Sequence, residues 1–173
     1  MQPLLLLAAA TSVGTGTQIA RLTQNAWKLR SFFLLRLPSL WWWGVRVKSF
    51  SAAHCQTTIP YNWRTQNPFQ SVYFAAQAGA AELSTGLLAL DAIEQCGQEM
   101  SMLITGMEAQ FVKKATSAVT FTCTDGKAIF DTAIEAINSG MSQTITVSTT
   151  GVQATGETVA HFSFTWSFKV KKT

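Results

Sequence analysis

Charged side chains are scarce in this chain: 13% of its 173 residues, against about 25% in an average globular protein. The shortage does not signal disorder, because 47% of the residues are hydrophobic, ample apolar surface to offset the entropy of ordering the chain. Long apolar runs are missing too. None approaches the ~20 residues that span a bilayer, which excludes a polytopic membrane protein. Cysteine is sparse and odd in number (Cys55, Cys96, Cys123), with no C-x-x-C pair. That argues against a disulfide framework or zinc finger and points to a reducing, cytoplasmic setting. His54-Cys55 and His161 have no metal-ligand spacing, so no metal is expected. No G-x-S-x-G elbow occurs, which counts against a serine hydrolase. Gly14-Thr-Gly16 follows no strand and lacks a third glycine, so it makes no dinucleotide site. The length fits one domain, read as an extension of residues 1–44 and a main domain of residues 45–173.

The absence with most content is that of carboxylates at the start. Residues 1–81 hold Arg21, Lys28, Arg30, Arg36, Arg46, Lys48 and Arg64 and no acid; the first is Glu82. Nine acids against six lysines follow, so a net charge of +4 hides a basic front and an acidic back. A basic front suits a phosphorylated ligand or anionic lipid, or else simply solvates an amphipathic segment. Nucleic acid is not expected, since no known module interleaves these charges with aromatics.

Residues 1–10 are like a signal-peptide core ending in small residues, but the basic n-region is lacking, so secretion is not expected. Ile19, Leu22, Ala26, Leu29 and Phe33 recur at spacings of three and four, predicting an amphipathic helix that Pro38 ends at about Leu37. Leu40-Trp41-Trp42-Trp43 follows. Interrupted by Arg30, Arg36 and Pro38, this region cannot span a bilayer; it either packs over the domain or makes peripheral membrane contact.

Val45 to Ile59 reads as one strand closed by Pro60, and residues 61–70 as a loop. Ser71 to about Gln95, rich in Ala and Leu without proline, predicts a long helix capped by Gly97. Period-two patterns predict strands at Met107–Phe111, Val119–Cys123 and Phe162–Val170. Lys127–Ser139 reads as a short helix with Ile129, Phe130, Ala133, Ile134 and Ile137 inward, and Ser142–Thr150 as another strand. Asp125-Gly126 marks a turn or helix start, and Gly156-Glu157 a hairpin turn. No repeated β-α-β alternation occurs, so the fold class is α+β.

Projected at about 100° per residue, the long helix sets Glu82 on a stripe with Ser71, Ala75, Ala78, Gly79, Thr85, Gly86, Ala89 and Ile93. Small residues admit another backbone or a slender ligand. Burial would raise the Glu82 pKa and mark a functional group; otherwise Glu82 pairs with nearby backbone or an arginine.

The segment Asn67-Pro-Phe-Gln-Ser-Val-Tyr73-Phe-Ala-Ala-Gln-Ala-Gly-Ala-Ala-Glu82 resembles the active-site stretch of hotdog-fold thioesterases of the PaaI-like group. These carry an Asn, a Gly three residues on, then His-Gly-Gly, then an acid seven residues past the second Gly. Without gaps, Asn67 takes the Asn position and Glu82 the acidic one. The later order of strands and helix also resembles the acyl-CoA thioesterase-like branch, over about residues 45–172.

This resemblance implies an antiparallel sheet wrapped around the long helix, in a homodimer with sites at the subunit interface, or a tetramer of paired dimers. It implies an acyl-CoA or related acyl thioester as substrate, coenzyme A entering only as part of it and no cofactor being needed. Glu82 would be general base or nucleophile, and Asn67 would orient water or the thioester. A backbone N–H at the helix start would hold the oxyanion. Ser71, Tyr73, Phe74, Ala75, Gly79 and Thr85 would line the substrate site, and Lys113 and Lys114 would meet coenzyme A phosphates. The departures are Gln70 for the family's glycine and Tyr73-Phe74-Ala75 for His-Gly-Gly. They remove a substrate-polarising histidine and set a bulky Phe74 at the entrance. A non-catalytic module binding acyl thioesters or lipids, and a membrane-surface protein working through its Trp-rich front, are the alternatives.

Overall fold

The computed structural model describes residues 16–171. In chain order it comprises α1 (Gln18–Thr23), α2 (Ala26–Arg36), α3 (Pro38–Trp43), β1 (Arg46–Phe50), β2 (Cys55–Ile59), α4 (Phe74–Cys96), β3 (Met100–Phe111), β4 (Val119–Cys123), α5 (Gly126–Ser139), β5 (Gln143–Gln153) and β6 (Thr158–Val170). The apolar residues 1–10 lie outside the described residues.

All six strands form one antiparallel sheet in the order β1-β2-β4-β5-β6-β3. Strand alternation sends Phe162, Phe164, Trp166 and Phe168 of β6, Phe121 of β4 and Val147 of β5 to one buried face. The central helix α4 supplies the rest of that core through Ala76, Ala80, Ala81, Leu83, Leu87 and Leu88. Full burial of a leucine such as Leu87 or Leu88 contributes about 1.5–3 kcal/mol. Two hydroxyl groups in this seam are paired: Thr57 Oγ1 donates to the Ala80 carbonyl at 2.6 Å, and Ser84 Oγ meets Thr149 Oγ1 at 2.9 Å.

The single helix expected from Ile19 to Leu37 is instead two. Asn25 is extended, and its side-chain oxygen accepts from the Lys28 N–H at 3.1 Å, so it starts a new helix. Pro38 does end α2, and opens α3. The front helices are tied to α4 by its acids. Thr17 donates to Asp91 at 2.5 Å, and Glu94 accepts from the Gln18 and Ile19 N–H groups at 2.6 and 3.0 Å. A carboxylate there satisfies N–H groups that a helix start leaves open. Burial raises the Asp91 pKa, against the opposing hydrogen bonds from Thr17 and Gln95. Leu29, Phe33 and Leu40 join the same core as the sheet.

Other boundaries moved for local reasons. Val45–Ile59 is a hairpin and not one strand: Ser51 N–H donates to the His54 carbonyl at 2.8 Å and turns the chain between β1 and β2. The long helix starts at Phe74 and not at Ser71: the backbone at Tyr73 is extended (φ −59°, ψ 135°), and the N–H groups of Val72 and Tyr73 are bound to the Ala115 and Thr65 carbonyls at 2.8 and 2.7 Å. The expected strand at Met107–Phe111 begins seven residues earlier, at Met100, and its register shifts between Ile104 and Gly106. The C-terminal cap at Gly97 is left-handed, as expected, and α5 ends in the same way at Gly140.

At the start of α5 the backbone passes the β1–β2 turn so closely that a Cβ on Gly126 would lie 2.0 Å from the Ala52 carbonyl oxygen. Neither partner is a flexible side chain. Gly126→Ala is therefore expected to destabilise the fold by about 3 kcal/mol, lowering Tm by roughly 6–12 °C; an unchanged thermal melt would contradict this packing.

Candidate functional site

The loop before α4 is organised by Asn67. Its Oδ1 accepts from the N–H groups of Phe69 and Ser71 at 3.0 and 3.2 Å and from the Ser71 hydroxyl at 3.2 Å. This Asx arrangement consumes the oxygen and leaves the Nδ2 donor without a partner among the described residues. At the turn, Gln70 has φ of 59°, a left-handed conformation that favours glycine. It is the position where the resemblance puts a glycine.

Beside this loop opens a cavity of about 830 Å³, lined among others by Asn67, Ser71, Tyr73, Phe74, Lys113 and Lys114. Six of the ten residues singled out from the sequence thus meet at one place. The first turn of α4 starts at its wall with no side-chain cap, so the N–H groups there are available to an oxygen. Tyr73 and Phe74 stand exposed, edge to face at 4.9 Å. Lys113 is ion-paired with Glu157, whose pKa is lowered chiefly by that contact; Lys114 has no ion pair among the described residues. Gln77 also lines the cavity and was not foreseen. Its Nε2 donates to the Val72 carbonyl at 3.0 Å, while the buried Oε1 has no partner among the described residues. Its only sign in the sequence is a lone amide in an otherwise small and apolar helix turn.

Glu82 and the remaining three residues lie elsewhere. Ala75 is in the first turn of α4, outside the cavity lining. Gly79 lies beneath α3, where an added Cβ would come 3.0 Å from both Leu40 and Trp43. Thr85 is buried and accepts from the Trp166 indole N–H at 3.1 Å. Glu82 sits eight residues past Phe74, about 12 Å along the helix axis. Its carboxylate folds back over Gly86, where a Cβ would meet Oε1 at 2.8 Å. It forms no side-chain hydrogen bond or ion pair among the described residues, so neither backbone nor arginine neutralises it. Burial alone pushes its pKa up to about 7.

The family model described as "Domain of unknown function (DUF4442)" matches residues 25–168. The chain belongs to that family. No curated protein matches the sequence of this DUF4442 member. Solved structures share its architecture. PA5026 of Pseudomonas aeruginosa, called a probable thioesterase, is 17% identical, covers 85% of this chain and 97% of its own, and superposes with a TM-score of 0.71. OLEI01261 of Chlorobaculum tepidum TLS, of unknown function, is 12% identical, covering 91% and 100%, with a TM-score of 0.75. Thioesterase HI1161 of Haemophilus influenzae is 16% identical, covering 84% and 91%, with a TM-score of 0.61. At these identities the likeness carries the fold: this is a hotdog fold, as the Asn67–Glu82 resemblance implied.

The folded chain holds the Glu82 proton more tightly than an unfolded one, whose carboxyl titrates near 4.5. Its contribution to stability is thus complete below about pH 4.5 and lost as pH rises through about 7. Glu82→Gln, which cannot ionise, is expected to be more stable than the unaltered chain by about 3 kcal/mol at pH 8 and by under about 1 kcal/mol at pH 5. Urea unfolding at the two pH values measures this, and a gap that does not change with pH would contradict it.

Proposed function

We propose that this hotdog protein hydrolyses acyl thioesters, acyl-CoAs being the first candidates, with Glu82 as the general base. The observation that carries the reading is a half-buried carboxylate with no partner among the described residues, held near pKa 7 by the central helix. A base poised there is ionised at working pH yet still takes a proton readily. Names borne by solved neighbours of the same fold point the same way.

In this reading the thioester carbonyl enters the cavity, with its oxygen toward the uncapped first turn of α4 and the free Asn67 Nδ2. Water attacks the carbonyl carbon and gives its proton to Glu82. The C–S bond then breaks, and the proton passes to the departing sulfur, giving a free acid and a thiol. The oxyanion is stabilised by N–H groups at the positive end of the helix. Lys114 is the better placed of the two lysines to meet an anionic head group, since Lys113 already serves Glu157.

Glu82 does not line the cavity of its own chain, so we assign it to the cavity of a second copy. The edge strand β3 supports such pairing. Its Met107 shares a face with buried Phe164 yet is 56% exposed, and Leu103 is exposed on the other face. A long apolar edge of this kind is one that a second chain can cover.

Thiol release from short, long and aromatic acyl-CoAs tests the proposal. Turnover is expected to rise with pH through about 7 and to fall at least ~100-fold in Glu82→Gln, the scale of losing a general base. Asn67→Asp keeps the Oδ1 acceptor and removes the donor; it too should be slow. Mixing the two slow variants should restore roughly a quarter of the activity, because random pairing makes half of the dimers mixed and each mixed dimer has one intact site. Absence of turnover with every substrate, or equal turnover in Glu82→Gln, would overturn the catalytic reading and leave the binding module.

A further inference from the structure

We infer that the outer face of α2 docks on the surface of an anionic lipid bilayer. The inference is independent of the thioesterase reading. Helix α2 is apolar on two sides. Leu29 and Phe33 face inward and are buried, while Trp27 and Leu35 are 83% and 78% exposed and Leu34 is exposed with them. At about 100° per residue, Trp27, Ser31, Leu34 and Leu35 fall on one side, opposite Leu29 and Phe33. A helix at the surface of a domain ordinarily turns a polar face outward; an apolar one displayed in this way marks a contact.

The charges around the face identify its partner. Lys28 and Arg30 flank it, Arg36 follows, and all three are exposed. None forms an ion pair among the described residues, and the first 81 residues contain no carboxylate. Tryptophan and leucine at the level of the lipid head groups, with basic side chains reaching to phosphates, is the chemistry of an interfacial helix. The same charges disfavour a second copy as occupant, since two such faces would oppose Lys28, Arg30 and Arg36 with their equals and no acid. The contact would be peripheral: among the described residues no helix is long and apolar enough to cross a membrane.

Co-sedimentation of the full chain with phosphatidylcholine vesicles, with and without about a third phosphatidylglycerol, tests this. Binding is expected to be at least ~10-fold stronger to the anionic vesicles and to fall at least ~10-fold on raising salt from about 0.1 M to about 1 M. Lys28→Gln with Arg30→Gln should weaken it about 25-fold, near fivefold per charge. Trp27→Ser with Leu35→Ser should abolish it while leaving the thermal melt unchanged, because both side chains are exposed. Equal binding to the two vesicles, no binding to either, or anionic binding untouched by both double variants would overturn the proposal. So would self-association, in place of vesicle binding, that is lost in Trp27→Ser with Leu35→Ser; that result would give the face to a second copy.

Discussion

Everything in this fold leans on the narrowness of one helix. Where α4 meets the sheet and its neighbours, alanine, serine and glycine leave room between its leucines: Ala76, Ala80, Ala81, Ser84 and Gly86 are buried along with Leu83, Leu87 and Leu88. The same core holds the large rings of Phe121, Phe162, Phe164, Trp166 and Phe168, and Trp166 lies against Thr85 and Gly86 of the helix. Small against large lets the sheet close around the helix at native density. Gly79 lets α3 close from another side, where Leu40 and Trp43 take the space a side chain would fill. A helix so enclosed has little access to water. The carboxylate it carries at Glu82 is consequently desolvated, and the shift of its pKa follows from the packing that holds the domain together.

The cavity follows from the same helix at its other limit. Backbone bonds from Val72 and Tyr73 to Ala115 and Thr65 hold the approaching chain extended, so helical turns begin only at Phe74. The first turn therefore opens uncapped against the Asn67 loop and the segment after β3. Acid and cavity are two consequences of one element, set apart along its axis. That separation is why a second copy enters the account of function and why the exposed edge of β3 matters to it.

Much of this was legible in the residues. Alternation of phenylalanine and tryptophan with serine and threonine located β6, and the Ala-rich stretch located α4, because both patterns report burial directly. The spacing from Asn67 to Glu82 pointed to the fold, and Gln70 is left-handed where that resemblance puts a glycine. What was not legible came from contacts distant in sequence. Asn25 breaks the front helix through its own side chain, but the helices stay docked through Asp91 and Glu94, some seventy residues on. The start of α4 was misplaced because the competing carbonyls belong to Thr65 and Ala115. Gln77 was passed over because nothing in a run of alanines reveals that a carboxamide will be buried at a cavity wall. Membrane contact by the basic front was one of two readings of the sequence, but which side of α2 lies open was not legible, because exposure of Trp27, Leu34 and Leu35 is set by where the helix docks.

By enclosing α4, the fold holds the Glu82 carboxyl near pKa 7, with no partner among the described residues to lower it. Carbon-13 NMR of the chain labelled at its glutamate side-chain carboxyls measures this directly, the Glu82 signal being assigned by its loss in Glu82→Gln. The account predicts a midpoint near 7 for that signal, well above the ordinary glutamate range. A midpoint near 4.5 would contradict it, showing that water or a partner reaches the carboxylate and that the enclosure does not set its charge.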